Sequence, residues 1–596
     1  MSETPASVPA DTDTDTDTDA PAPAAALDPI TVQVIANVLL SIADEVGLAL
    51  RRASYSTNIK ERADCSTALF DRHGRLVAQA EHIPIHMGSM AGAVRRLTAP
   101  ERLAALRPGD VYITNDPYSG GGTHLPDITM VAPVFTGDRL IGFTANIAHH
   151  SDVGGHVPGS NSGDSTSIFM EGLRIPLVRF ATDGRVNQDV ADFVLLNSRL
   201  PEERRGDLLA QTSALRLGAD RFVELTAKYG IDTVEAACAE LLAHAERRLR
   251  VAVGALPDGT YTALDHLDAD GPGREPIAVA VAVTVAGESI TLDFTGTGPE
   301  AVVAVNVVRS ALEATVYYAL KAALDPEIPA NGGFFDAVGI TAPLGSLVNP
   351  REPAPVAART DACQRVADVV FAALAQAVPE IPAGSHSSIT YVNFSGLGEP
   401  FYVYPEVIAG GSGAGPELDG LDAVQVHVTN SSNLPVEALE AEYPLLVERY
   451  ELVRDSGGAG HRRGGLAVRR DVRVLSAEGA EFSAHADRQS IGPHGSHGGA
   501  DGTPGRFTVL RTDGSRETLP GGRVSGIRLG EGDVMRVDSP GAGGYGDPHT
   551  RDPELVRLDV VDERVSPEAA RDHYGVVLTA GHTVDRAATD ALRTRD

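Results

Sequence analysis

Between Gly109 and Asp164 the chain offers three apolar runs, Val111–Thr114, Ile128–Val134 and Leu140–Ala148, each bounded by glycine and polar residues. Apolar runs this short, closed off by turn-forming residues, read as strands. The stretch is therefore committed to sheet, and its polar residues fall where strands end and loops begin. Its histidines and aspartates include six set among glycines: His124, Asp127, His149, His150, Asp152 and His156. Rigid scaffolds commonly present ligands and catalytic groups from such loops. A His-x-x-Asp pair followed at a distance by another His is plausible spacing for a three-ligand metal site with open positions. A single histidine is more often a surface or satisfied polar residue, and a chain with 18 of them places some beside aspartates by chance. It is the concentration of six that favours a site.

At 596 residues the chain exceeds what one hydrophobic core supports and predicts several domains. Its 42% hydrophobic and 22% charged residues are ordinary for a soluble globular protein. No sequence run reads as a membrane span, and the start lacks the basic-then-apolar pattern of a signal peptide. Cys65, Cys238 and Cys363 have no paired spacing, which argues against a disulfide framework or a structural zinc finger. These features predict a cytoplasmic protein. The net charge of −31 disfavours nucleic acid, whose recognition needs clustered Lys and Arg.

Residues 1–27, rich in Ala, Pro and Asp-Thr repeats, have too little apolar surface to offset ordering and predict a disordered tail. From Asp28-Pro29 a wide apolar face at helical spacing predicts a buried helix ending near Arg52. A hairpin is expected around His73-Gly74, with Asp64 at its entrance. Helices are expected over Ala91–Arg96, Pro201–Tyr229, Thr233–Ala252, Arg309–Leu324 and Asp361–Ala377, the last opening near the polar pair Arg359 and Asp361. The composition shifts near 255 and 385. The expected architecture is multidomain α/β with mixed sheets: a metal-site domain over 28–255, an α/β middle domain over 256–385, a β-rich, glycine-rich domain over 386–580 and a tail over 581–596. The glycine clusters at 408–415 and 491–505 fit tight turns better than phosphate loops, since no Gly-Lys-Ser/Thr follows them. No dinucleotide fingerprint occurs.

Several motifs in this order resemble the hydantoinase B/oxoprolinase family. They are Glu61-Arg-Ala-Asp64-Cys-Ser66, His82-Ile-Pro-Ile-His86-Met-Gly-Ser-Met90, Asn115-Asp-Pro-Tyr-Ser-Gly-Gly-Gly-Thr-His124-Leu-Pro-Asp127 and His149-His-Ser-Asp-Val-Gly-Gly155. Thr429-Asn-Ser-Ser-Asn433-Leu-Pro-Val-Glu437, Tyr450–Gly458 and Ser539–Pro548 extend the resemblance, which runs from about residue 28 to about 580.

The resemblance implies a B-type subunit of an ATP-dependent cyclic-amide hydrolase. A hydantoinase A-type partner would bind ATP and phosphorylate the substrate's carbonyl oxygen, and this chain would complete hydrolysis with a divalent metal. The alternative within the family is a subunit of an ATP-dependent ketone carboxylase. Carried over residue by residue, the metal ligands are Asp64, His124, Asp127 and His149. His149 is preferred to His150 on the same resemblance, and strand neighbours point to opposite faces, so only one should reach the metal. Two imidazoles with carboxylates suit Mn, Fe or Zn. His150, Asp152 and His86 are the expected general bases or ligand-orienting groups.

Overall fold

The computed structural model describes residues 27–80, 83–381 and 385–594. The expected disordered tail, apart from Leu27, and His82 of the second motif lie outside the described residues.

The N-terminal part is built on a seven-stranded antiparallel sheet of β1 (Cys65–Asp71), β2 (Leu76–Ala80), β3 (Val111–Thr114), β4 (Asp127–Thr136), β5 (Arg139–His149), β6 (Val178–Thr182) and β7 (Arg185–Val186), in the order β2-β1-β5-β4-β3-β6-β7. β1 and β2 form the expected hairpin, and Gly74 takes the left-handed conformation its turn needs (φ +79°). The predicted first helix spans Pro29–Ala53, with Asp28 accepting the Thr31 N–H as its N-cap and Pro29 in the first turn. By length and composition this helix could cross a membrane. One face of it, with Ile35, Leu39, Val46 and Leu50, is buried in a core shared with Leu69, Ile141 and Phe222. Helices Pro201–Tyr229 and Ile231–Gly254 complete this layer.

A second sheet orders Val338–Thr341, Ser289–Asp293, Ile277–Ala286 and Gly259–Leu267, with one parallel pair among antiparallel ones. Helix Arg359–Leu374 lies on this sheet and against helix Arg309–Leu324. It starts two residues earlier than the sequence pattern predicts and ends three earlier, ahead of the Val378-Pro379 pair. One hydrophobic core runs from Ala68 through Phe143 and Leu292 to Val370, so the first two sheets are fused.

Beyond residue 385, a four-stranded and a five-stranded sheet share a second core, with Phe394 and Phe482 from one sheet and Phe507 and Val537 from the other. Many glycines of this part serve close backbone approach. A Cβ on Gly411 would sit 2.2 Å from the Gly465 carbonyl oxygen, and one on Gly543 2.0 Å from that of His494. The stretch expected as a tail from 581 instead carries helix Arg586–Arg593, tied down by Arg593 donating to the carbonyls of Tyr574 and Arg551.

Candidate metal centre

The sheet register assembles the site. Asp127 opens β4 directly opposite His149, which closes β5, and Cys65 at the start of β1 pairs with Ala148. The ends of three adjacent strands thus bring Asp64, Asp127 and His149 to one edge, where the His149 N–H donates to the Asp64 carbonyl at 3.0 Å. His124 reaches the same point from the loop entering β4. Ligand-type atoms of His124, Asp127 and His149 all lie within 4.8 Å of one another, and all three residues are buried. Asp64 stands outside this trio but lines the same cavity of about 40 Å³, with His86, His149, Arg359, Tyr391 and His485.

Two buried atoms point to a cation. His124 Nε2 and Asp127 Oδ1 face each other at 3.2 Å, and neither makes a hydrogen bond. His124 Nδ1 lies 2.9 Å from the carbonyl oxygen of Ala357, which can only accept, so the imidazole proton sits on Nδ1 and Nε2 carries a lone pair. Burial and the nearby Arg359 guanidinium bring His124 down to about 4, which keeps it neutral at pH 7. Burial and His124 likewise hold His149 well below the usual imidazole range. Burial raises Asp127, but His124 and Arg359 outweigh it and hold the carboxyl well below the ordinary range. A lone pair on nitrogen and a carboxylate oxygen at this separation fit a shared cation.

Arg359 clamps the assembly. Its Nε donates to Thr123 Oγ1 at 2.8 Å and its Nη2 to Asp127 Oδ2 at 3.0 Å, while Nη1 lies 3.1 Å from His124 Nδ1. Asp127 Oδ2 also accepts from Thr123 Oγ1 at 2.6 Å, so only Oδ1 is left toward the cluster. His149 is fixed by Asn58, whose amide donates to the His149 carbonyl at 2.8 Å and lies 3.0 Å from Nδ1. The Asn58 carbonyl accepts from Arg62 at 2.6 Å.

The three residues expected to act beside the ligands separate. His86 belongs to the site: its Nδ1 lies 3.1 Å from Ser66 Oγ and its Nε2 3.8 Å from Asp127 Oδ1. His150 leaves the trio for a buried cluster, with Nε2 2.9 Å from Gln211 Oε1 and Nδ1 against Arg204. Asp152 accepts from the N–H groups of Gly154 at 3.1 Å and Gly159 at 3.1 Å and pairs with Arg199 at 2.8 Å. It closes the loop after β5. His156 is exposed, 3.5 Å from Asp164.

Sequence reading missed a second pair. His485, on strand Ala480–Ala486, holds Asp361 Oδ1 at 2.9 Å through Nδ1, and its buried Nε2 makes no hydrogen bond. Tyr391 stacks on its ring, with centroids 4.9 Å apart. The one available signal was the charged Arg359 and Asp361 at the head of an otherwise apolar helix. Nothing around His485 marks it.

Glu171 braces the wall behind His124. Its Oε1 accepts the N–H groups of Val356 at 2.7 Å and Ala357 at 2.9 Å, and the Ala357 carbonyl is the group that holds His124. Burial raises the Glu171 carboxyl from 4.5 to about 8, against the lowering effect of those two N–H groups. A carboxyl raised in the folded state holds its proton more tightly there. Its contribution to stability is therefore complete below 4.5 and is lost as pH rises through about 8. Glu171→Gln keeps the acceptor and removes the titration. Thermal unfolding across that interval is expected to show a flatter pH dependence for the variant, and parallel profiles would contradict this assignment.

The hydantoinase B/oxoprolinase family model matches residues 28–548. The chain belongs to this family. The family member is 32% identical over 584 residues to the caprolactamase subunit beta of Pseudomonas jessenii, covering 95% of this chain and 99% of that one. The crystal structure of ATP-dependent caprolactamase from the same organism superposes with a TM-score of 0.87 at 31% identity, covering 95% of this chain and 100% of the other. The 5-oxoprolinase of Dictyostelium discoideum is 33% identical over 529 residues, which take in 87% of this chain but 40% of that longer protein. A nucleotide-free acetone carboxylase shares the fold, with a TM-score of 0.88 at 19% identity over 95% of this chain and 83% of the other.

Proposed function

We propose that this hydantoinase B/oxoprolinase family chain is the B-type subunit of an ATP-dependent cyclic-amide hydrolase, working with an A-type subunit that binds ATP. The observation that carries the reading is the facing pair of unpartnered buried atoms, His124 Nε2 and Asp127 Oδ1, clamped by Arg359 beside a cavity. The sequence has no phosphate loop with a Lys, which leaves the nucleotide to a partner. The name of the Pseudomonas relative, a subunit beta, and the much greater length of the single-chain 5-oxoprolinase fit that division. Three buried free cysteines suit a reducing, cytoplasmic setting.

An amide resists water because resonance strengthens its C–N bond. Phosphorylation of the carbonyl oxygen by the partner yields an imidate-like phosphate that water attacks far more readily. His124, Asp127 and His149, with Asp64 at the cavity wall, are the residues that would hold a divalent metal, Mn, Fe or Zn. Such an ion supplies Lewis-acid activation of water near neutral pH. His485 is placed to take the water's proton: Asp361 accepts its Nδ1–H, so Nε2 is the basic nitrogen, and it belongs to the same cavity. His86 keeps Asp127 oriented, and His150 and Asp152 act through the packing of the strand ends and the loop after β5. The cavity takes only water-sized groups, but Ile83 also borders a neighbouring cavity of about 340 Å³ lined by Pro84, Met87 and Tyr318, which has room for a small ring.

The test is co-expression with an ATP-binding partner and assay on hydantoins, 5-oxoproline, lactams and ketones, with and without bicarbonate. ATP-dependent ring opening that needs both chains is the expected result. Turnover that needs a ketone and bicarbonate would make the complex a carboxylase. Ring opening by this chain alone without ATP would overturn the two-subunit reading.

A further inference from the structure

We propose that Asp368, His386 and His427 form a second divalent-metal site, separate from the first, whose open side takes a small oxygen-donor ligand such as a carboxylate. Ligand-type atoms of the three residues all lie within 4.8 Å of one another. His386 Nδ1 is 3.0 Å and His427 Nε2 3.1 Å from the same oxygen, Asp368 Oδ1. Two imidazole nitrogens and one carboxylate oxygen, converging from three separate segments, make a facial donor set for a transition metal with positions left open.

The surroundings orient these donors. Arg365 holds the other carboxylate oxygen of Asp368, with Nη1 2.8 Å from Oδ2, which turns Oδ1 to the histidines. Tyr318 OH stands 3.2 Å from His427 Nδ1 and steadies the ring from behind. Such a partner on the far ring nitrogen is a regular feature of metal-binding histidines. The rings of His386 and His427 lie with centroids 4.2 Å apart, and Phe371 stacks on His427 at 5.0 Å.

The site opens onto its own cavity of about 260 Å³, lined by Tyr318, Phe371, His386, Leu421, Gln425 and His427. Both amide atoms of Gln425 are buried without a hydrogen-bond partner. A donor and an acceptor left unmatched beside an apolar wall are what a small polar ligand would satisfy. Asp368 follows Arg359 by nine residues on one helix, which separates the two sites by roughly 13 Å along its axis. They share a wall, since Gln364 donates to the carbonyls of Val426 and His427 and accepts from the N–H of Ile389, a residue of the first cavity.

The test is metal stoichiometry of the full-length chain, stripped and reloaded with Zn²⁺ or Co²⁺. Two equivalents are expected for the wild type, one for His386→Ala or His427→Gln, and one for His124→Ala. Combining His124→Ala with His386→Ala should leave none. A wild type that saturates at one equivalent, or His386→Ala and His427→Gln proteins that retain two, would overturn the proposal. Anomalous scattering from zinc-soaked crystals of the wild type needs no variant: a peak between Asp368, His386 and His427 is expected, and its absence at saturating zinc would also overturn it.

Discussion

His124→Ala is expected to lose the metal of the first centre and, with the ATP-binding partner present, to lower turnover more than about 100-fold. That bound follows because removing even a group that merely orients a metal ligand costs about 10–100-fold, and His124 supplies a donor atom itself. The variant also leaves Asp127 Oδ1 without the group it faces at 3.2 Å. His150→Gln is the contrasting change. His150 contacts Gln211 and Arg204, so its variant should retain the metal of the first centre. Metal analysis of the two proteins side by side checks the assignment, and equal loss in both would contradict the choice of His149 over its neighbour.

Replacement of Arg359 should have the largest effect on stability. Its guanidinium is buried and donates to Thr123 and Asp127 together. Arg359→Ala leaves the Asp127 carboxylate buried without its cation, a change that typically costs about 3–5 kcal/mol. Arg359→Lys keeps the charge but lacks the planar fork that reaches Thr123 and Asp127 at once, so it should fall between the two. Denaturant unfolding of the metal-free proteins gives the order directly. An Arg359→Ala protein as stable as the wild type would show that the clamp contributes nothing.

The elements that announce themselves locally were readable before the fold was known. Asp28-Pro29 caps a helix, His73-Gly74 turns a hairpin, and Pro201–Tyr229 and Arg309–Leu324 form helices over the predicted residues. The mixed α/β character followed from the same signals. The candidate trio lay among six histidines and aspartates of one contiguous stretch, and the family resemblance singled it out. Arg359 and Asp361 were visible only as charges at the head of an apolar helix, since what they bind lies more than a hundred residues away in the chain. His427 and His485 had no signal, because what matters about each is a partner brought near by the fold. Asp152, a carboxylate within a histidine motif, closes a loop through the Gly154 and Gly159 N–H groups.

His124, Asp127 and His149 are proposed to hold a metal ion. Anomalous diffraction at the absorption edge of the metal that copurifies with the full-length protein tests it most directly. A peak within coordination distance of His124 Nε2 and Asp127 Oδ1 is the predicted result. No peak there, in crystals of protein whose ATP-dependent activity with its partner is intact, would contradict it.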